Sequence, residues 1–161
     1  MKKLLLGLCM SVALLGGCSS QPGYDRSTEM GTLHKLTLSE VLDRMENGDT
    51  FMFAFTMTTC HNCEDFKENV LSDYIGDHGF EFNEVVLDGE DPQLVYDFVA
   101  EHPNPAEFLS DGMSATEVYT PTFYFVKDGK VEDIFVGANI TEKQFDDYIQ
   151  KYQLDKASEQ E

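Results

Sequence analysis

The chain has 161 residues, of which 11 are basic and 30 acidic, giving a formal net charge of −19. A surface this acidic repels phosphate backbones and anionic lipid headgroups, which argues against nucleic-acid binding and phosphate recognition. The length allows one ordinary domain with a real core, and no internal repeat divides it.

The first segment stands apart from that domain. Lys2 and Lys3 precede an apolar run from Leu4 to Leu15, which ends in Leu15-Gly16-Gly17-Cys18. This is the layout of a secretory signal; a bilayer-spanning helix needs about 20 apolar residues, and this run is shorter and broken by Gly7 and Gly16. Its last four residues resemble the lipobox of bacterial lipoproteins, which implies cleavage after residue 17 and lipid on Cys18. Cysteine parity points the same way. With Cys9 removed and Cys18 lipidated, only Cys60 and Cys63 remain, whereas a bare Cys18 would leave an odd thiol in an oxidising compartment. Residues 19 to 31 are rich in Ser, Gly, Thr and charge. The expected organisation is a signal over 1–17, a flexible tether over 18–31, a domain over 32–155 and a disordered tail over 156–161. Losing Lys2 and Lys3 with the signal moves the formal charge from −19 to −21.

Within the domain, Thr37-Leu38-Ser39-Glu40 forms a capping box for a helix over 37–48, with Leu38, Val41, Leu42 and Met45 at helical spacing. Phe51 to Met57 is an unbroken apolar run of strand length, as expected for a central strand covered on both faces. A helix from Cys60 places Phe66, Val70, Leu71 and Tyr74 inward and stops near Gly76. Phe80 to Asp88 is the next strand. Asp91-Pro92 starts a helix carrying Leu94, Val95, Phe98 and Val99, and Asn104-Pro105 starts a short one running to about Asp111. Phe123–Lys127 and Val131–Val136 form a hairpin through Asp128-Gly129. Thr141-Glu142-Lys143-Gln144 caps a last helix with Phe145, Tyr148, Ile149 and Tyr152. The order predicts a layered α/β domain with a mixed sheet flanked by helices.

The chemistry centres on Thr59-Cys60-His61-Asn62-Cys63. Two thiols three residues apart on a helix lie one turn apart, close enough for a disulfide. A helix start carries unpaired N–H groups and a positive partial charge, which favours a thiolate at Cys60. A protonated His61 would add to that effect. By itself such a pair could also be half a zinc site, but no second Cys/His pair completes one, so no metal is expected. His34, His78 and His102 show no ligand spacing and are expected at the surface.

Thr120-Pro121-Thr122, standing before the strand Phe123-Tyr124-Phe125, supplies the second half of a pattern. A strand leading into Cys-x-x-Cys, a later Thr-Pro, then Lys127-Asp128-Gly129-Lys130 and Phe135-Val136-Gly137-Ala138 resemble the thioredoxin superfamily over about residues 33 to 153. The resemblance implies that Cys60 is the exposed nucleophile and Cys63 the more buried resolving thiol. It implies a cis Pro121, with the Thr120 backbone presented to a bound peptide. Thr59 stands where thioredoxins carry tryptophan and Asn62 where they usually carry proline; Ala54 stands where they carry a buried acid. Glu84 is the nearest replacement acid, though a plain exposed strand residue is the expected account of it. Residues 88 to 121 are longer than in thioredoxin and are expected to hold extra helical material.

The leading expectation is a lipid-anchored, extracytoplasmic thiol–disulfide oxidoreductase, an oxidase or isomerase of secreted proteins, on a bacterial membrane; Ser19 suits outer-membrane sorting. Its catalytic residues are Cys60, Cys63 and His61, with Thr120 and Pro121 binding substrate. It needs no cofactor. Expected partners are thiols or disulfides of secreted proteins or peptides, and a membrane redox partner. A membrane-coupled reductase and a binding module for an exported peptide remain as alternatives.

Overall fold

The computed structural model describes residues 23–157, so the expected signal and Cys18 lie outside the described residues. Five strands, β1 (Thr32–Lys35), β2 (Phe51–Thr56), β3 (Glu81–Val86), β4 (Thr122–Lys127) and β5 (Lys130–Val136), form one mixed sheet in the order β1-β3-β2-β4-β5. β1, β3 and β2 run parallel, β4 runs against β2, and β5 runs against β4 and so along the direction of the first three. The parallel strands therefore all deliver their C-terminal ends to one edge of the sheet, where ligand sites form in open α/β sheets.

β2 occupies the centre and is buried at all six positions, as its unbroken apolar run requires. Its alternation divides the core in two. Met52 and Ala54 face a cluster with Phe66, Phe82, Phe123, Phe125 and Phe145, while Phe53 and Phe55 face Leu38, Val41, Val85, Phe98 and Tyr124. The second cluster is covered by α1 (Leu38–Glu46) and α4 (Pro92–Glu101). The first is covered by α2 (His61–Phe66), its continuation to α3 (Ser72–Tyr74), and α5 (Glu142–Tyr152). Capping boxes at Thr37 and Thr141 and the Asp91 cap ahead of Pro92 start α1, α5 and α4 where the sequence places them.

The structure departs from the sequence expectations in three places. β1 was not anticipated. The expected helix after Asn104-Pro105 is a single 3₁₀ turn, Ala106–Phe108, because Asn104 is tied instead to the carbonyls of Ala115 and Glu117 at 3.0 and 2.8 Å. Finally, residues assigned to the tether are held against the domain: Ser27 N–H donates to the Asp155 carbonyl at 2.7 Å, and Gly31 N–H to Ile75 at 2.8 Å. Among the described residues no helix is long and apolar enough to cross a membrane.

Candidate active site

β2 ends at Thr56, and an exposed turn over Met57–Thr59 carries the chain to Cys60, which caps α2. Asp88, just beyond β3, holds that turn by accepting the Thr58 N–H at 2.8 Å and its hydroxyl at 3.0 Å. The Thr58 N–H, opposed by a little desolvation and helped by the hydroxyl, keeps the Asp88 carboxyl below its ordinary value of 3.8. The Cys60 N–H donates to the Met57 carbonyl at 3.2 Å, closing the turn.

Cys60 and Cys63 are joined by a disulfide, with Cα atoms 5.2 Å apart. Cys60 has an extended backbone (φ −90°, ψ 99°) rather than a helical one, and its Sγ accepts the Cys63 N–H at 3.1 Å. A sulfur in this place occupies the N-cap role usually taken by an oxygen, so negative charge on it meets an N–H and the positive end of the helix. Cys60 is half-buried, whereas Cys63 is only 2% exposed. Access is therefore asymmetric: an incoming sulfur reaches Cys60 first. His61 projects outward, with its side chain 85% exposed and its Nε2 3.6 Å from an Asp65 carboxylate oxygen.

Pro121 follows a cis peptide bond after Thr120. Thr122 pairs with Phe55, so Pro121 lies one step further along, beside the end of β2 from which the turn to Cys60 departs. Pro121 itself is buried and its carbonyl accepts the Gly137 N–H at 2.8 Å. The half-buried Thr120 remains at the surface beside it. The two halves of the sequence pattern thus converge at the same end of adjacent strands.

Glu84 overturns the expectation of an exposed strand residue. It is 3% exposed, faces Ala54 across the β2–β3 pair, accepts the Thr56 hydroxyl at 2.8 Å and forms an ion pair with Lys67. Lys67 follows Cys63 by one helical turn, and its N–H bonds to the Cys63 carbonyl. A buried carboxylate and its lysine therefore lie beside the same stretch of helix that carries Cys63. This carboxylate stands on the strand next to Ala54. Sequence reasoning missed Lys67 and Asp88; the i, i+4 spacing of Cys63 and Lys67 was the available signal for the first.

The other histidines do not join the site. His34 is exposed, but His78 stacks on Tyr74 and His102 packs against Phe98, so neither is a plain surface residue. Burial pushes the His102 imidazole below its ordinary value.

No protein-family model matches the chain, and no curated protein does. Solved structures do match its architecture. A Malassezia sympodialis thioredoxin, Mala s 13, is 17% identical, with a TM-score of 0.51 over 74% of this chain and 92% of its own. Thioredoxin f2 of Chlamydomonas reinhardtii is 12% identical, with a TM-score of 0.51 over 75% of this chain and 96% of its own. The fold is the thioredoxin fold. This chain spans nearly the whole of both neighbours, and it carries a Cys60–Cys63 disulfide at the start of the thioredoxin-fold helix that follows its central strand.

Proposed function

We propose that the chain is a lipid-anchored, extracytoplasmic thiol–disulfide oxidoreductase that oxidises or isomerises disulfides of secreted proteins. The observation that carries this reading is the asymmetric disulfide: a half-buried Cys60 sulfur capping a helix and a buried Cys63 behind it. A client thiolate attacks Cys60 Sγ. The Cys60–Cys63 bond breaks, Cys63 leaves as a thiolate and takes up a proton, and client and Cys60 are joined as a mixed disulfide. A second client thiolate then attacks the client sulfur of that bond, and Cys60 departs with the electron pair. The client loses two electrons and two protons to become a disulfide, and the pair becomes a dithiol. Helix-end charge and the Cys63 N–H lower the cost of the departing Cys60 thiolate, which favours this oxidising direction.

Glu84 exchanges the Cys63 proton, its buried carboxylate being ion-paired to Lys67 one turn from that cysteine. When the pair is reduced and isomerises a client, Cys60 is the attacking thiolate, with His61 adding positive charge nearby when protonated. Thr120 offers its backbone to the client beside Pro121. The lipid anchor is assigned to Cys18, which places the domain outside the cytoplasm, where a membrane partner restores the disulfide.

The test is turnover by the purified chain, measured as oxidation of a reduced peptide and as reduction of insulin disulfides in the presence of dithiothreitol. Cys60→Ser is expected to abolish both. Unchanged turnover in that variant would sink the mechanism. Thiol trapping in intact cells then reads direction: an oxidase is found mostly as the disulfide, a membrane-fed reductase mostly as the dithiol.

A further inference from the structure

The start of the described chain is clamped to its end. Tyr24 Oη donates to the Asp155 carboxylate at 2.6 Å, Arg26 Nε donates to the same carboxylate at 2.5 Å, and Arg26 Nη2 donates to Asp146 at 2.5 Å and to Tyr74 Oη at 2.9 Å. Backbone bonds reinforce the join: Ser27 N–H to the Asp155 carbonyl at 2.7 Å and Ala157 N–H to the Asp25 carbonyl at 2.9 Å. Asp155 is fully buried, and the Arg26 side chain is 20% exposed. A carboxylate so buried holds this cation firmly, since releasing Arg26 would leave its charge with the Tyr24 hydrogen bond but, among the described residues, no cation beside it.

This clamp lies at the far end of the fold from the redox pair. Tyr74 follows Cys60 by fourteen positions along the helical run from α2 to α3, which at 1.5 Å per residue is about 20 Å. α5 repeats the relation. It begins just after the β5 exit that bonds Pro121 through Gly137, and it runs away from that end until Asp155 closes it. The clamp and the disulfide therefore occupy opposite poles.

Five residues, 19 to 23, lie between Cys18 and Tyr24, six steps of the backbone. Whatever path they take, they span at most about 21 Å. A tether running to residue 31 would span about 45 Å, ample to swing either pole of the domain down to a membrane.

Resting on the anchored reading above, we propose that the Arg26 clamp keeps the anchored pole toward the membrane and the Cys60–Cys63 pair away from it, so that the pair exchanges with thiols of soluble proteins or protruding domains and not with thiols lying at the bilayer surface. Turning the pair to the bilayer would require that five-residue segment to be drawn out nearly straight alongside the full height of the domain, with the loss of conformational freedom that implies.

The test uses the processed, lipidated full chain in proteoliposomes, with its pair oxidised. Two reductants are compared: a dihydrolipoyl group coupled to phosphatidylethanolamine in the same bilayer, and soluble dihydrolipoamide of the same chemistry. Each gives two electrons to the Cys60–Cys63 bond and becomes a cyclic disulfide. A second protein carries a twelve-residue Gly-Ser insertion between Pro22 and Gly23, outside the clamp. The lipid-borne dithiol is expected to reduce the native chain at least ten times more slowly than the insertion variant, while the soluble dithiol reduces both at one rate. Equal rates with the lipid-borne dithiol would overturn the proposal. Flotation with the vesicles is measured first: a chain that stays in solution overturns the anchor, and this proposal with it, before any redox step is read.

Discussion

A carboxylate in a protein core needs a reason, and Glu84 has two partners that supply one. The Thr56 hydroxyl and the Lys67 ammonium satisfy it, and Lys67 reaches solvent at its far side, with 35% of its side chain exposed. Glu84→Gln keeps the shape and the Thr56 bond, and Lys67 can turn its charge into water, so the stability cost should be only about 1 kcal/mol. Exchange at Cys63 should slow by roughly tenfold to a hundredfold if Glu84 handles its proton, and the pH dependence of that step should flatten. Stopped-flow quenching of the mixed disulfide reads both; an unchanged pH profile would reduce Glu84 to packing. Asp88 acts on the other cysteine by holding the turn before it. Its carboxyl is held below 3.8, first by the Thr58 N–H, so the bonds are complete above that value and are lost as pH falls through the lower, folded value. Asp88→Ala should therefore lower kcat/KM at neutral pH with little change in melting temperature, and activity assays beside calorimetry separate the two.

At the scale of elements, what was legible in the sequence was local chemistry. Capping boxes, the Asp91-Pro92 start and the Asp128-Gly129 turn each act within a few residues, and each element begins or ends where they place it. The hairpin also contains a constraint that the sequence does not display. Gly129 has φ +77°, and a Cβ there would collide with the Met45 carbonyl at the end of α1. Gly129→Ala should cost more than about 1 kcal/mol, the backbone term alone, as a lower urea midpoint with an unchanged slope. What was hidden depended on neighbours far along the chain. β1 is exposed at all four positions, so it shows no alternation by which to find it. Asn83 and Glu84, side by side, look like a solvated strand; only the structure shows Asn83 donating to the Met52 carbonyl at 2.9 Å and Glu84 paired beneath α2. The Cys60–Cys63 pair and Pro121 were legible because their motif places them at the ends of strands, whereas Lys67 and Asp88 join them through tertiary contact.

For the whole molecule, the Arg26 network joins the first of the described residues to the last of them, and its balance sets a pH limit on the fold. Among the described residues no buried side-chain nitrogen or oxygen lacks a partner, so removing one member of this network creates a defect that the native protein does not have. Burial works to raise the Asp146 carboxyl, but hydrogen bonds from Tyr74, Arg26 and Gln150 outweigh it and hold the group below 3.8. A carboxyl lowered in the folded state contributes stability that is fully present above its unfolded value, near 3.8, and that drains away as pH falls through the folded value. Arg26→Ala removes the cation from both Asp146 and the fully buried Asp155. The expected loss is about 3 kcal/mol at neutral pH, the scale for breaking a buried pair by deleting one partner. The variant's stability should also fall less steeply than the native protein's below pH 4, because part of what acid removes is already gone. Urea denaturation at pH 7 and across pH 3 to 5 measures both quantities, and parallel acid slopes in the two proteins would show that the clamp does not carry this dependence.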